Sequence, residues 1–365
     1  MYLYLIFGLL VIIAFLFDIV SQKRDGAYRA VFLGIIMLFF CISVCRWAVG
    51  PDWLSYLQHF QSIDNPAYQS YLSESFEPGY NLLTAINKQV VPYYTFHLCI
   101  VALIIYILVP VTILRFSTYP ILSLLVWYSM VIAYIFPVRQ NIAAVITLFS
   151  VRYIIEHRKL RFLLLVAIAA SFHYSALIFL PAYWLFHRYV SGKQMIVLLL
   201  LTICVSYFSI YVIQSILPFL ENGMIGMKIG KYMEVADSHT GGSAYTKTSM
   251  LIRGIINRGF LILIIFLLNK YRKTDKLLNG WSNMAIWAFV LFSLTLPISV
   301  PLARVTMYYD LLQMFLIPCL FRLKVTRESK YLIYFVLAIY LFIRFKGVVF
   351  NYEELYIPYK SIFES

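Results

Sequence analysis

Hydrophobic residues along this chain fall in long continuous runs that are separated by short polar turns. Most of these runs are long enough for a helix that crosses the roughly 30 Å hydrocarbon core of a bilayer. They do not alternate with the two-residue period of a barrel strand, so they predict an all-α polytopic membrane protein. The predicted spans cover residues 2–20, 30–45, 96–114, 120–136, 140–155, 194–217, 251–268, 283–300, 305–321 and 331–343.

One further apolar run, residues 162–186, is interrupted in its middle by Ser171, His173 and Ser175. Polar groups in hydrocarbon are costly, so this run indicates two short helices that meet near His173. Both flanks, 156–161 and 187–193, are basic, and basic residues collect on the cytoplasmic side of a membrane. A hairpin satisfies both flanks. The sequence therefore predicts about 12 transmembrane helices, including a short-helix hairpin at 162–186, with both chain ends outside.

Two longer polar segments are predicted to be external loops. Residues 46–95 carry four carboxylates but just two cations, Arg46 and Lys88. Within this loop, residues 79–91 have the periodicity of a helix that lies at the membrane interface. Residues 218–250 are rich in Gly and Ser, which predicts a flap. Because no soluble domain or repeat stands out, we interpret 1–365 as a single integral membrane domain.

Composition supports this class and limits the partners. The chain is 62% hydrophobic and 13% charged, which excludes a soluble globule. Its formal net charge of +14 indicates basic cytoplasmic loops against anionic lipid, and not a nucleic-acid partner. The cysteines lie in apolar spans without metal-ligand spacing, so we expect no metal and no other cofactor.

Arginines at the predicted external ends of the spans need an explanation, because the positive-inside bias disfavours cations there. One explanation is snorkelling and pairing with loop carboxylates. The other is an anion site, since guanidinium groups match phosphate geometry and keep their charge. The arginines in question are Arg46, Arg139, Arg253, Arg258 and Arg304.

Four further side chains are candidates for chemistry. His173 is either a hydrogen-bonded packing residue or a general base or donor, since its pKa lies near working pH. Asp52 and Glu77 are either solvated loop acids or catalytic carboxylates. Asp310 lies within a span below Arg304, where an acid is either structurally paired or functional.

Short motifs along residues 46–181 resemble the EpsG family of Wzy-like bacterial polysaccharide polymerases. Beyond Pro181 the similarity is weaker and rests on Arg304 with Tyr308 and Tyr309. Pro51 and Trp53 depart from the family pattern beside Asp52. The motifs are, in order, Arg46-x-x-x-Gly50-x-Asp52-x-x-x-Tyr56, Glu77-Pro78-Gly79-Tyr80, Arg139-Gln140-x-x-Ala143 and Phe172-His173-x-Ser175-Ala176.

This resemblance implies that undecaprenyl-diphosphate-linked oligosaccharide repeat units are polymerised at the external face of the bacterial cytoplasmic membrane. The product would be an O-antigen, a capsule or an exopolysaccharide. The arginines would bind the diphosphate together with Gln140, Tyr80 and Asp310, and the catalytic candidates would be His173, Glu77 and Asp52. Membrane lipids, a flippase and a chain-length regulator are the expected partners.

Three other classes fit parts of the pattern. A lipid-linked oligosaccharide flippase or other transporter would place its charges in a cavity at mid-membrane. A membrane O-acyltransferase would need a histidine site that a cytoplasmic acyl donor reaches. A glycosyltransferase that uses a lipid monophosphate donor would need an acidic pair in the first external loop.

Overall fold

The computed structural model describes residues 2–21, 23–50, 52–64, 76–135, 139–220, 247–298, 300–350 and 353–363. Throughout these residues the regular secondary structure is helical, with one isolated β-bridge between Arg46 and Ser361. The prediction of an all-α polytopic membrane protein is confirmed. Six described helices are long and apolar enough to cross a membrane: Tyr2–Ser21, Gly26–Val44, Tyr94–Phe116, Ser249–Leu267, Lys276–Thr295 and Arg327–Phe350.

Two compact units make up the chain, Met1–Leu180 with Lys324–Ser365, and Pro181–Leu323. The first unit begins with eight helices: α1 (Tyr2–Ala14, continued by a π-helical turn to Ser21), α2 (Gly26–Val44), α3 (Trp53–Ser62), α4 (Pro78–Val90), α5 (Tyr94–Phe116), α6 (Pro120–Ile135), α7 (Arg139–Ile155) and α8 (Lys159–Phe172). α4 confirms the helix predicted at 79–91. A 3₁₀-helix, Tyr174–Phe179, follows α8.

The second unit contains α9 (Ala182–Leu185), α10 (Gly192–Leu220), α11 (Lys247–Leu267), α12 (Asn269–Arg272), α13 (Lys276–Thr295), α14 (Val300–Ala303), α15 (Met307–Asp310) and α16 (Gln313–Leu316). Most of the predicted flap, 218–250, lies outside the described residues. The chain then returns to the first unit with α17 (Arg327–Phe350) and α18 (Glu353–Tyr356).

Aromatic packing holds the spans of the first unit together. The ring of Phe7 on α1 stacks on Phe345 of α17, with 4.6 Å between the ring centroids. Tyr128 of α6 stacks on Phe345 at 5.4 Å and on Phe39 of α2 at 5.2 Å. These rings are buried, and offset or edge contacts between aromatic rings stabilise such a core beyond the area that they bury.

Hydrogen bonds join the turns that the sequence assigns to the cytoplasmic side. Arg24 Nη2 donates to the carbonyl oxygens of Ser117 at 3.0 Å and Thr118 at 2.7 Å. Arg115 Nη2, at the end of α5, lies 2.7 Å from Oε1 of Glu156, which follows α7. This ion pair links the turn after α5 to the turn after α7. The turns after α1, α5 and α7 therefore lie together, as the alternation of spans predicts.

The C-terminal segment lies at the opposite end of α2. The backbone N–H of Trp47 donates to the Lys360 carbonyl at 2.8 Å, and that of Ile362 donates to the Cys45 carbonyl at 2.9 Å. Residues 360–362 and the start of the first predicted external segment therefore share one side of the first unit. This is the arrangement that the prediction of an external C-terminus requires.

The first unit also confirms that the apolar run from residue 162 turns back on itself. α8 ends at Phe172, and His173 has an extended backbone, with φ −158° and ψ 114°. The rings of Phe162 and Phe179 lie 6.1 Å apart between centroids. A continuous helix would separate residues so far apart in sequence by about 25 Å, at about 1.5 Å per residue.

Several predicted boundaries are wrong. α13 begins at Lys276 and not at residue 283, because Asn279, Ser282 and Asn283 are buried within the helix. α17 runs from 327 to 350, well beyond the predicted 331–343. The predicted span 305–321 is not one α-helix, because short α-helical pieces alternate with 3₁₀ turns at Arg304–Thr306 and Ile317–Arg322.

Candidate functional site

The first segment that the sequence predicts to be external meets the start of α7 through an ion pair between Glu77 and Arg139. Glu77 Oε2 lies 2.5 Å from Arg139 Nη1. Glu77 is the residue before α4, where Pro78 at the first helical position presets the backbone for a helix. Glu77 is buried, at 5% exposure, so it is not the solvated loop acid that was one of its two interpretations.

Aromatic rings surround the guanidinium of Arg139. Its Nε donates to the hydroxyl oxygen of Tyr56 at 3.3 Å, and its Cζ lies 4.5 Å from the centroid of Phe76. Such a contact is a cation–π interaction. His59 stacks on Phe76 at 3.9 Å. Together these contacts fix the orientation of Arg139 before any ligand binds.

Burial and the charge of Arg139 shift the titration of nearby groups. Burial raises the pKa of Tyr56, and the positive charge of Arg139 opposes that rise. Burial, helped by the same charge, lowers the pKa of His59 to about 4. Burial also raises the pKa of Tyr80, against which the charges of Arg139 and Arg46 both act. Both arginines therefore act electrostatically on one tyrosine hydroxyl.

Behind this pair lies a buried polar chain that the sequence did not identify. Asn87 Nδ2 donates to His97 Nδ1 at 3.0 Å, so the neutral ring carries its proton on Nε2. That nitrogen lies 3.1 Å from the hydroxyl of Tyr80. The sequence did contain a pattern that could have revealed this network. Tyr80, Thr84 and Asn87 recur at helical spacing and form the buried face of α4. Polar residues on the buried face of an amphipathic helix indicate such a network.

Arg46 and Asp52 flank a tight turn at the end of α2. Ala48, Gly50 and Asp52 all have positive φ, at 52°, 96° and 60°, and glycine adopts such values at least cost. Arg46 is buried, with Nη1 donating to the Val49 carbonyl at 3.4 Å. Asp52 is exposed and makes no side-chain bond to cap α3. Within the described part of the chain, Asp52 forms no ion pair.

The tip of the hairpin packs against the start of α4. A Cβ on Gly79 would lie 2.3 Å from Ser171 Oγ, so only a glycine allows α4 and α8 to approach this closely. His173 Nδ1 accepts from the backbone N–H of Ser175 at 3.3 Å and from its hydroxyl at 2.6 Å. In the neutral ring the proton is then on Nε2. The structure thus brings the Glu77-Pro78-Gly79-Tyr80 motif beside the tip that carries His173.

In the second unit, buried Arg258 forms an ion pair with half-buried Asp310. Thr306 joins it, since Arg258 Nη2 donates to Thr306 Oγ1 at 3.2 Å and that hydroxyl lies 3.1 Å from Asp310 Oδ2. Gln313 Nε2 donates to Asp310 Oδ1 at 2.5 Å. Asp310 is therefore structurally paired, which was one of its two interpretations.

The depth of Arg258 corrects a prediction. The sequence placed it near the outer end of a span, but α11 begins at Lys247, so Arg258 lies near its middle. The predicted start was too late because Lys247, Thr248 and Ser249 are polar and were assigned to the loop. Arg253 and Arg304 are exposed. Gln140, on the first unit, is half-buried in the first turn of α7.

No metal site is evident in the described ranges, where no group of three or more His, Cys, Asp and Glu side chains is arranged to hold an ion. The polar clusters are instead built from guanidinium, carboxylate, imidazole and phenol groups. Such groups bind anions and sugar hydroxyls and transfer protons.

Comparison with known proteins agrees with the motifs. The model of the EpsG family matches residues 29–361, nearly the whole chain. No match to the chain is found among curated proteins or among solved structures. EpsG-like proteins are Wzy-type polysaccharide polymerases and are bacterial membrane proteins, so the chain has a polymerase role of this general kind. The resemblance inferred from four motifs is confirmed, and this chain belongs to the EpsG family.

Proposed function

We propose that this protein polymerises oligosaccharide repeat units carried on undecaprenyl diphosphate, at the external face of the bacterial cytoplasmic membrane. The observation that carries the proposal is Arg139, held by Glu77 and Tyr56 at the end of a span and partly exposed at 21% of its side chain. A guanidinium fixed in this way is ready to bind a diphosphate without reorganising.

The reaction requires an acceptor hydroxyl, a cation that stabilises the leaving diphosphate and a general base. The hydroxyl oxygen of the acceptor sugar attacks the anomeric carbon of the donor, and the bond from that carbon to the diphosphate breaks. The diphosphate leaves on its lipid with both bonding electrons, and Arg139 stabilises the negative charge that develops. The hydroxyl proton passes to a general base.

The contacts of the three acid–base candidates support different roles for them. Glu77 is committed to Arg139, so we assign it the positioning of that arginine. Asp52 is an exposed carboxylate one helical turn before Tyr56, and we assign it the role of base. His173 uses Nδ1 to hold Ser175, so we assign its Nε2–H as a donor to a substrate oxygen.

Polymerisation by the purified full chain tests the proposal. Synthetic lipid-linked repeat units should be converted to longer chains by the wild type and much more slowly by Arg139→Ala. The control is Arg115→Ala, which removes the arginine of another ion pair, on the side predicted to be cytoplasmic. No elongation by the folded wild type, with any lipid-linked repeat unit of its own host, would refute the proposed reaction.

Orientation is tested separately by chemical labelling. In a background without native cysteines, Leu160→Cys and Phe363→Cys place a thiol at residues that are each 82% exposed, on the predicted inner and outer sides. An impermeant maleimide should label position 363 in intact cells and position 160 only after lysis. The reverse pattern would place Arg139 on the cytoplasmic side and exclude an external site.

A lipid-linked oligosaccharide flippase is the second candidate, and one observation favours it. Arg258 and Asp310 form their ion pair near the middle of α11, where a transporter places its charges. A deletion strain distinguishes the two functions. Lipid-linked repeat units accumulate in the outer leaflet if a polymerase is missing and in the inner leaflet if a flippase is missing.

A further inference from the structure

A groove of about 260 Å³ lies between the end of α1 and the start of α17. Ser21, Arg327, Lys330 and Tyr331 supply its polar lining, and Val20 is among its apolar lining residues. It lies at the end of α1 that leads into the turn of Arg24, which the sequence assigns to the cytoplasmic side. No residue of the candidate polymerase site lines this groove.

The two cations of the groove have no carboxylate at ion-pair distance in the part of the chain that the structure describes. Among the described residues, neither Arg327 nor Lys330 takes part in an ion pair. Arg327 Nε instead donates to the hydroxyl of Tyr331 at 2.5 Å, which holds the guanidinium at the groove. Glu328 is adjacent in sequence but does not line the groove. The groove is therefore a site of net positive charge.

The nearest buried acid is also unavailable to these cations. Asp18, in the last turn of α1, accepts from the Tyr28 hydroxyl and from the backbone N–H of Leu122, each at 2.7 Å. Each carboxylate oxygen of Asp18 thus already accepts a hydrogen bond from within the first unit. Among the described residues, no carboxylate forms an ion pair with Arg327 or Lys330, so these cations are available to an anion from outside the protein.

The volume of the groove and the side chains around it indicate which class of anion it binds. Sites for whole small molecules have volumes of roughly 300–1,000 Å³, so the groove fits a headgroup and not an oligosaccharide. Apolar side chains on the same two helices are exposed beside it, including Leu16, Leu332 and Phe335. Acyl chains would cover these side chains, whereas a soluble phosphate would leave them uncovered.

We propose that this groove binds the glycerophosphate headgroup of an anionic phospholipid from the cytoplasmic leaflet. Arg327 and Lys330 contact the phosphate, the Ser21 hydroxyl donates to it or to the glycerol, and the acyl chains lie along α17. Basic pockets between membrane helices on the cytoplasmic side bind anionic headgroups in this way. The proposal is independent of the polymerase reaction.

Native mass spectrometry of the full chain, titrated with phosphatidylglycerol or phosphatidylcholine, tests the proposal. The wild type should bind phosphatidylglycerol at least tenfold more tightly than phosphatidylcholine. Neutralising both cations, Arg327→Gln with Lys330→Gln, should weaken phosphatidylglycerol binding roughly 30-fold. The charge-retaining pair Arg327→Lys with Lys330→Arg should bind within a fewfold of the wild type.

The control pair is Lys270→Gln with Lys273→Gln, which removes the same charge from two exposed lysines in another predicted cytoplasmic turn. It should leave the binding unchanged, and equal weakening by both pairs would overturn the proposal. So would equal affinity of the wild type for the two lipids, whatever the variants do. A third arm adds millimolar glycerol 3-phosphate. If it displaces the lipid, the groove binds a soluble phosphate and the lipid assignment is wrong.

Discussion

Arg139 Nη1 lies 2.5 Å from Glu77 Oε2, although 62 positions separate the two residues in sequence. The pair connects the first predicted external segment to the start of α7. Because Glu77 is buried, losing Arg139 would leave an uncompensated buried charge, which typically costs about 3–5 kcal/mol. Arg139 is thus a fixed part of the fold as well as a candidate ligand for phosphate.

The substitution Arg139→Lys should reduce polymerisation roughly ten- to a hundredfold. A single ammonium does not reproduce the contacts to Glu77 and Tyr56 together with a bidentate phosphate contact. Losing one charge-assisted hydrogen bond corresponds to about 1.5–3 kcal/mol. The measurement is kcat/KM for elongation of purified lipid-linked units, with Arg115→Lys as the control that keeps activity. Full activity of Arg139→Lys would show that a point charge is sufficient there.

Gly79→Ala should destabilise the contact between α4 and the hairpin tip. The new Cβ would lie 2.3 Å from Ser171 Oγ and 2.9 Å from the Ser171 carbonyl oxygen, so backbone has to move. Overpacking of this kind typically costs about 1–3 kcal/mol. Thermal unfolding in detergent should show a lower Tm together with slower polymerisation. Gly34→Ala, where a Cβ meets nothing within 4 Å, is the matched control and should not lower the Tm.

Two substitutions of His173 distinguish the roles of its two ring nitrogens. Asparagine places an acceptor near the Nδ1 position and keeps the bond to Ser175, whereas glutamine places a donor near the Nε2 position. If Nε2–H donates to substrate, His173→Gln should retain more turnover than His173→Asn. Greater activity of the asparagine variant would make His173 a cap of the 3₁₀-helix and no more.

The pH profile of the same variants tests the alternative that His173 is the general base. Loss of a general base typically lowers turnover about 10²–10⁴-fold. Wild-type turnover would then also fall on acidification through the His pKa, because an imidazolium cannot accept a proton. We expect Asp52→Asn to show the large loss. An acid limb that disappears in His173→Gln would assign the base to His173 instead.

His59 should make the protein less stable in acid. Its pKa is lowered to about 4 in the fold, against about 6.5 in an unfolded chain. Above pH 6.5 neither state binds a proton, so the stability is unaffected. Between pH 6.5 and 4 only the unfolded state gains the proton, and stability falls by up to about 1.4 kcal/mol per pH unit. The Tm difference between wild type and His59→Phe should therefore change over this range, and parallel curves would contradict the prediction.

Substituting Arg258 and Asp310 distinguishes a structural role of their ion pair from a role in transport. Arg258→Met and Asp310→Leu should each cost up to about 3–5 kcal/mol, because each leaves a charge that is largely removed from solvent without its partner. The double variant should regain much of that stability. If it also polymerises normally, the pair is structural. Loss of lipid-linked oligosaccharide translocation by a stable double variant would support the flippase function.

The sequence by itself determined the class of the protein and the order of its helices. Long apolar runs leave few choices, because a bilayer excludes unpaired backbone and admits helices. Basic flanks around residues 162–186 required a hairpin, and the rings of Phe162 and Phe179 confirm it. The motifs around Arg46, Glu77, Arg139 and His173 were likewise sufficient to recognise the EpsG family.

Only the tertiary structure decided which of these residues meet. Glu77 and Arg139, or Tyr80 and His97, come together because particular helix faces pack, and a span that is apolar on all sides does not reveal its packing face. The sequence also placed Arg258 at the wrong depth along its helix, for a related reason. Polar residues at the start of α11 and polar residues buried inside α13 look like loop residues in a sequence, so the start of each helix was placed too late and Arg258 too near the surface. In α13, Asn279 and Asn283 donate to the backbone carbonyl of Arg188, about 90 positions away in sequence, and the local pattern of polar residues does not reveal such a contact.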